Sequence, residues 1–209
     1  MKIAILAKGP SLGEYPGEGF DEVWGLNQIG KSHQLDRLFV MDDLKHRMPH
    51  YDGPEFPEWL KTYPGEIITS TKYDEWPTTI EFPVEEVAYY LGLPLGIAMY
   101  STVDYMIAYA IYKKVDEIHL FGVDCLSNTP QINRTRTSVA VWIGAALSRG
   151  IRVVSSKGSF STSWTSAGAC MDRAFYGYIS PKRIENLVRK QDDDNTGIPS
   201  KPLGDSLTA

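Results

Sequence analysis

Short apolar runs that end in polar or turn-forming residues recur along the first third of the chain. Residues 2–7 form a continuous apolar run, and a Gly-Pro-Ser turn follows it after Lys8. Residues 22–26, 37–41 and 66–69 repeat this pattern. A short continuous apolar run is typical of a strand that is buried on both faces, as in a parallel sheet. The pattern therefore predicts buried strands at all four places.

Helical and strand-like segments alternate in the second half of the chain. Residues 101–113 and 137–149 carry small and apolar side chains at helical spacing, and a glycine closes the second segment. Strands are predicted at 117–121 and 151–154. Strands that alternate with helices imply crossover connections. We therefore predict an α/β fold of three layers, Rossmann-like, with a mostly parallel sheet and helices on both faces.

The remaining segments differ in composition from this regular core. Residues 44–83 are rich in proline and aromatic side chains, which predicts an irregular excursion with one short helix at 57–62. Such aromatic side chains can form a lid over a sugar or base, and they can equally form a subunit interface in a homo-oligomer. A short helix is predicted at 181–190, and a mobile tail at 191–209. We expect a single domain over 1–190.

The overall composition excludes several classes of protein. With 209 residues, 43% hydrophobic and 22% charged, the chain has enough apolar surface for a core, unlike disordered, collagen-like or disulfide-stapled chains. No apolar run reaches the length of a membrane span, and the N-terminal apolar stretch is too short for a signal peptide. These features predict a cytoplasmic protein. The net charge of -5 argues against general nucleic-acid binding, and the two cysteines predict no metal site.

Polar residues follow the predicted strands, and they are the candidate functional residues. The carboxyl ends of parallel strands share one edge of the sheet, where ligands bind in open α/β folds. The helix that begins near residue 101 also offers first-turn N–H groups that can bind phosphate. The residues predicted to bind a nucleotide are Gly9, Pro10, Ser11, Asn27, Gln28, Ser101, Thr102 and Gly122. The carboxylates predicted to act as a base or as metal ligands are Asp42, Asp43 and Asp124.

Two arginines could supply positive charge near this edge. Arg134 and Arg136 are expected in the loop that follows the strand at 117–121. Arginine suits the recognition of phosphate, so these residues would neutralise an anionic substrate. The alternative for both is a solvated loop without a ligand.

One motif suggests a different kind of nucleotide site. Residues 25–32, Gly-Leu-Asn-Gln-Ile-Gly-Lys-Ser, match the phosphate-binding loop G-x-x-x-x-G-K-[ST] and follow a predicted strand. That loop requires a helix after its Lys-Ser pair, but only four residues separate Ser32 from the next strand. Four residues make about one helical turn, roughly 6 Å, which is too short to cross back along a strand. We therefore predict that Lys31 does not bind phosphate.

Several short blocks resemble a known family. Residues 3–12, Ile-Ala-Ile-Leu-Ala-Lys-Gly-Pro-Ser-Leu, resemble the opening strand and turn of bacterial CMP-sialic-acid-dependent sialyltransferases of the Campylobacter type. Residues 24–28 resemble the second strand of that family, 100–103 its serine-led helix, and 118–124 its Gly-Ile-Asp strand end. Wider relatives include MptE-like hydroxymethylpterin pyrophosphokinases and small phage-encoded Rossmann-like proteins. The resemblance covers the sheet skeleton from residue 1 to about residue 155.

The resemblance implies a nucleotide-binding transferase, which would act in the host cytoplasm if it is phage-encoded. It places Asn27 against the nucleotide or the donor sugar. Three features depart from the family. The family uses a C-terminal histidine as general base, but no histidine follows His119, and Lys8 stands where the family has asparagine. Residues 125–136 also lack the tyrosines that steady the departing phosphate. The resemblance therefore supports the fold and a nucleotide site more than sialyl transfer.

Three functions are compatible with these features. The first is a glycosyltransferase-like enzyme that uses a nucleotide-activated sugar donor. The second is a pyrophosphokinase-like enzyme that uses ATP, with magnesium held by the carboxylates at the strand ends. The third is a non-catalytic protein that binds a nucleotide or a partner. The carboxylates favour the first two functions, and the missing C-terminal histidine favours the third.

Overall fold

The strands of the described residues form one parallel sheet. The structure, a computed structural model, describes residues 1–92, 99–126 and 129–155, without the side chains of His50 and Tyr51. The strands within these residues are β1 (Lys2–Leu6), β2 (Glu22–Leu26), β3 (Arg37–Val40), β4 (Glu66–Thr69), β5 (Thr79–Glu81), β6 (Glu117–Phe121) and β7 (Arg152–Ser155). They pair in the order β5-β4-β3-β2-β1-β6-β7, and every pair is parallel. The predicted α/β fold is thus confirmed.

Helices cover both faces of this sheet. The α-helices of the described residues are α1 (Met48–Tyr51), α2 (Glu55–Lys61), α3 (Val84–Leu91), α4 (Thr102–Tyr112) and α5 (Pro130–Leu147). Side chains alternate along β1, so Ile3 and Ile5 pack with α3, α4 and α5, whereas Ala4 and Leu6 belong to a separate cluster on the other face. On that other face, α1 and α2 pack against β3 and β4 around Leu38. The result is the predicted arrangement of three layers.

The predicted strands agree closely with the observed ones. β2, β4 and β6 have the predicted bounds, β1 and β3 end one residue earlier, and β7 is shifted by one residue. The elements that were not predicted are β5, α1 and α3. In β5 only Thr79 is buried, whereas Ile80 and Glu81 are exposed, so the segment contains no apolar run. The predicted helix at 181–190 and the tail at 191–209 lie outside the described residues.

The start of α5 differs from the prediction. The helix begins at Pro130 rather than at 137, and the side chain of its N-cap, Thr129, accepts a hydrogen bond from the N–H of Ile132 at 3.3 Å. Its first turns carry mostly polar, partly exposed residues, which apolar periodicity does not reveal. The prediction that Arg134 and Arg136 lie in a loop is therefore wrong, since both lie on α5.

The proline- and aromatic-rich excursion at 44–83 contributes to the core. It contains α1, α2, β4 and β5, and α2 begins slightly before the predicted helix. Phe56, Leu60 and Trp76 are buried in one cluster beneath β3 and β4. The indole N–H of Trp76 donates to the carbonyl of Pro57 at 2.7 Å. These aromatic residues therefore stabilise the fold, and a role of the segment as a lid stays a prediction.

Buried hydrogen bonds join the ends of β1 and β6. The Ser11 hydroxyl donates to the Asp124 carboxylate and accepts from the N–H of Gly122 at 2.9 Å, while the N–H of Ser11 donates to Asp124 at 2.7 Å. The N–H of Gly9 donates to the carbonyl of Gly122 at 2.8 Å. A Cβ atom on Gly122 would lie 2.1 Å from the carbonyl oxygen of Ala7, and its φ of 73° is left-handed. The two strand ends are therefore in close contact, and we call this set the β1–β6 junction.

A buried carboxylate joins the start of α4 to α5. Asp104 is fully buried, and its Oδ2 atom accepts hydrogen bonds from the N–H groups of Tyr100 and Ser101 and from the hydroxyl of Ser138, each at 2.8 Å. Ser138 lies on α5, so one oxygen atom holds both helices. Burial raises the pKa of Asp104, and the hydrogen bonds oppose that rise only in part. Asp104 therefore fixes the relative position of the two helices.

We predict that Ser11→Ala lowers the free energy of unfolding by about 1–3 kcal/mol. The substitution leaves the N–H of Gly122 and one oxygen of Asp124 buried without a partner. Urea denaturation followed by circular dichroism measures the change. The matched control is Ser32→Ala at an exposed serine, which should change stability by less than about 0.5 kcal/mol. Equally small effects of the two substitutions would contradict the structural role of Ser11.

A second prediction concerns the pH dependence of stability. Because burial raises the pKa of Asp104 in the folded protein, folding binds a proton there, and this contribution to stability is lost as pH rises above the unfolded pKa. The stability of Asp104→Asn relative to wild type should therefore increase from about pH 4 to pH 7. Asp43→Asn is the control. Because the N–H of His46 lowers the pKa of Asp43, the stability of this variant relative to wild type should change in the opposite direction over the same range. A flat difference for Asp104→Asn in urea denaturation across this range would contradict the prediction.

Candidate functional site

An open cavity of about 570 Å³ lies at the carboxyl edge of the sheet. Its lining comes from the residues that follow β1, β2 and β3, from the start of α4 and from the first turns of α5. The predicted site residues Asn27, Asp42, Ser101 and Thr102 all line it. A concave site with a few convergent polar groups is typical of small-ligand binding. The structure thus brings together predicted residues that are far apart in the sequence.

Asn27 occupies a strained position on the lining of this cavity. It follows β2 directly, opens a short 3₁₀ turn (Asn27–Lys31) and has a φ of 49°. This left-handed conformation is unfavourable for residues other than glycine, although asparagine tolerates it best. The Oδ1 atom of Asn27 is buried and has no hydrogen-bond partner among the described residues. A ligand N–H or O–H group in the cavity would satisfy this atom.

The start of α4 forms another part of the lining. Ser101 is the N-cap and Thr102 the first helical residue. Ser101 and Asp104 are arranged as a capping box, in which the Ser101 hydroxyl faces the N–H of Asp104 and the Asp104 carboxylate accepts from the N–H of Ser101 at 2.8 Å. The N–H of Asp104 donates to the carbonyl of Ser101 at 3.0 Å, whereas helix geometry leaves the N–H groups of Thr102 and Val103 without intrahelical acceptors, and the helix dipole adds partial positive charge. The start of α4 is therefore suited to an anionic group that also accepts a hydrogen bond from Ser101.

The two aspartates that follow β3 have different surroundings. Asp42 is half-buried and lines the cavity. Asp43 accepts hydrogen bonds from the N–H groups of Lys45 at 2.9 Å and His46 at 2.7 Å, so it stabilises the turn before α1. Within 1–92, 99–126 and 129–155, no three His, Cys, Asp or Glu side chains are grouped closely enough to hold a metal ion. Of this pair, Asp42 is the carboxylate available to a ligand.

The remaining predicted residues at the ends of β1, β2 and β6 are not part of the cavity lining. The β1–β6 junction contains Gly9, Ser11 and Gly122, which were predicted to bind a nucleotide, and Asp124, which was predicted to act as a base or metal ligand. Pro10 lies between Gly9 and Ser11 in the chain. Both carboxylate oxygens of Asp124 are engaged by Ser11, which favours a structural role for these two side chains. Gln28 donates from its side-chain amide to the carbonyl of Asp52 at 2.9 Å. Ligand contacts by these residues stay predictions.

The two arginines on α5 have different surroundings. Arg136 donates to the carbonyl of Cys125 at 2.5 Å and to the side chain of Asn133 at 3.3 Å. Arg134 is exposed and lines a second open cavity of about 630 Å³. Tyr100 and Gln131 line both cavities, so the two adjoin. Arg134 is therefore better placed than Arg136 to meet an anionic ligand.

The segment that matches the phosphate-binding loop does not have the structure of one. Residues 27–31 form a 3₁₀ turn, and β3 follows shortly after it without an intervening α-helix. The ammonium of Lys31 lies over the rings of Phe56 and Trp59, at 5.5 and 5.6 Å from their centroids. These contacts are cation–π interactions on the surface of α2. The predicted absence of a helix after the motif is thus confirmed.

Sequence analysis did not predict the role of Lys8 and Asp52. Lys8 follows β1 and lines the cavity, and its ammonium lies 2.7 Å from Oδ1 of Asp52. Asp52 ends α1 and is almost completely buried. The position of Lys8 at a strand end is a signal that sequence alone offers. Its partner is 44 residues away in the excursion, and no local pattern indicates that pairing.

Comparisons with known proteins identify the fold. No protein-family model and no curated sequence matches the chain. The sialyltransferase CstII from Campylobacter jejuni, in complex with the substrate analogue CMP-3FNeuAc, aligns with a TM-score of 0.52 and 16% identity, over 78% of this chain and 84% of CstII. CstII in complex with a trisaccharide acceptor and CMP aligns with the same TM-score, identity and coverage. A single-residue variant of CstII in complex with CMP aligns with a TM-score of 0.53 and 17% identity, again over 78% and 84%.

The structure also bears on how the protein relates to membranes. Among the described residues, no helix combines the length and apolarity that crossing a bilayer requires.

At the level of identity found, the likeness to CstII concerns the fold. The chain therefore has a Rossmann-like α/β fold similar to that of CstII sialyltransferases.

Proposed function

We propose that the protein is a glycosyltransferase-like enzyme that binds a nucleotide-activated sugar donor in the cavity lined by Asn27 and Ser101. The observation that carries this proposal is that Asn27, whose buried Oδ1 atom has no hydrogen-bond partner among the described residues, lines the same cavity as the start of α4 with its N-cap Ser101. Oδ1 of Asn27 requires a hydrogen-bond donor, and the start of α4 favours an anion. A nucleotide provides amino or hydroxyl donors together with a phosphate, so it satisfies both requirements.

The solved structures with a similar fold support a nucleotide ligand. The CstII structures contain CMP or a CMP-sugar analogue. Fold similarity alone does not decide function, because one fold carries many activities. The proposal therefore depends chiefly on the geometry of the cavity, and the likeness favours a sugar donor over other nucleotides.

Asp42 would act as the general base of the transfer reaction. In this mechanism the hydroxyl oxygen of the acceptor attacks the anomeric carbon of the donor, and Asp42 accepts the hydroxyl proton. The bond between the anomeric carbon and the phosphate oxygen breaks, and its electron pair leaves with the nucleotide. The adjoining cavity at Arg134 leaves room for the acceptor.

We predict that a pyrimidine nucleotide or its sugar conjugate raises the melting temperature without magnesium. Binding to the folded state alone stabilises it by RT ln(1 + [L]/Kd). Differential scanning fluorimetry with CMP, UMP, CMP-sugars, UDP-sugars and ATP, each with and without magnesium, measures the effect. A shift with ATP that requires magnesium would instead favour the pyrophosphokinase-like function. A complete lack of shifts would contradict the proposal.

We further predict that Ser101→Ala weakens nucleotide binding by about two- to tenfold, roughly 0.5–1.5 kcal/mol, because one hydrogen bond to the ligand is lost. Isothermal titration calorimetry with the nucleotide that gives the largest shift measures the affinity. The matched control is Ser148→Ala, at an exposed serine that ends α5. Unchanged affinity with a lowered melting temperature would restrict Ser101 to helix capping.

A further inference from the structure

Lys8 is the one basic side chain on the lining of the 570 Å³ cavity, as far as the described residues show. It follows β1, and β1 lies in the centre of the sheet between β2 and β6. Its side chain is 45% exposed and lies on the lining of the cavity. An ammonium group has three donors, and Asp52 uses one of them, which leaves donors for a ligand.

Asp52 is a buried carboxylate whose backbone is held by hydrogen bonds. Its N–H donates to the carbonyl of Met48 at 2.9 Å, and its carbonyl accepts from Gln28 at 2.9 Å. Its side chain is 7% exposed, and its Oδ2 atom is buried without a hydrogen-bond partner among the described residues. Burial of a charge with an unsatisfied oxygen is unfavourable for stability. Such an arrangement is better explained by the need to hold Lys8 in one place.

We propose that Lys8 forms an anion-binding subsite for the phosphate of the bound nucleotide, and that Asp52 is the positioning residue that orients it. This inference rests on the proposed function and adds the residue that recognises the charged part of the ligand. A full positive charge at Lys8 and the partial charge at the start of α4 lie on the same cavity. A phosphate between them would compensate both, whereas a nucleoside would leave the ammonium without an anionic partner other than Asp52.

The test compares ligands with and without phosphate. Isothermal titration calorimetry gives the Kd of wild type for CMP, UMP, AMP and GMP and for the four corresponding nucleosides, and the tightest pair is then used for the variants. We expect Lys8→Gln to weaken binding of the nucleotide tenfold or more and to change binding of the nucleoside less than twofold. Lys8→Arg should restore most of the nucleotide affinity, because it restores the charge. Lys31→Gln, at a lysine away from the cavity, should leave both affinities unchanged.

The positioning role of Asp52 is tested separately, by the nucleotide affinity of Asp52→Asn with and without Lys8→Gln. Asp52→Asn should weaken nucleotide binding less than Lys8→Gln does, and it should have no further effect when Lys8→Gln is already present. Tighter nucleotide binding by Asp52→Asn would overturn the positioning role. If Lys8→Gln alone does not fold, because it leaves Asp52 buried without a counter-charge, the double variant Lys8→Gln/Asp52→Asn removes both charges and takes its place.

The outcomes distinguish this inference from the function on which it rests. A wild-type protein that binds none of the nucleotides or nucleosides contradicts the proposed function itself. A second outcome overturns the anion subsite alone. In that outcome the wild-type protein binds the nucleotide, but Lys8→Gln weakens binding of nucleotide and nucleoside equally or changes neither affinity. Circular dichroism and melting temperatures of all variants exclude loss of folding as the cause.

Discussion

The close approach of the β1 and β6 ends is the constraint on which the site depends. At this point the strand order reverses, because the chain runs from β1 outward to β5 and then returns to β6 on the other side. Ligands in open α/β sheets bind next to such a reversal. Asp124 holds the two strand ends through Ser11, and Gly122 and Gly9 allow the backbones to meet. The junction thereby fixes the position of Lys8 at the end of β1. It also fixes the positions of the polar residues that follow the neighbouring strands.

Two further buried carboxylates hold residues that line the cavity. Asp104 holds the start of α4 against α5, and Asp52 holds Lys8. Each of them also has one buried oxygen without a partner in the described residues. Such groups cost stability, and they are tolerated where position matters more than stability. The same reasoning applies to the strained backbone of Asn27, which lines the same cavity.

The sequence predicted the sheet well and the side-chain network poorly. The strand β2 was predicted to the residue because a strand buried on both faces is continuously apolar. Asn27 and Asp42 could be predicted to lie near each other because parallel strands end at one edge. The ion pair of Lys8 with Asp52 could not be predicted, since it depends on how the excursion folds back onto the sheet. The polar first turns of α5 were missed for a related reason: exposed helical turns carry no apolar period.

A crystal structure of the protein grown with saturating CMP tests the central claim most directly. The account predicts a nucleotide in the cavity with one of its N–H or O–H donors within about 3.2 Å of Oδ1 of Asn27 and its phosphate at the start of α4. A nucleotide bound elsewhere on the molecule, with this cavity free of ligand, would contradict the account.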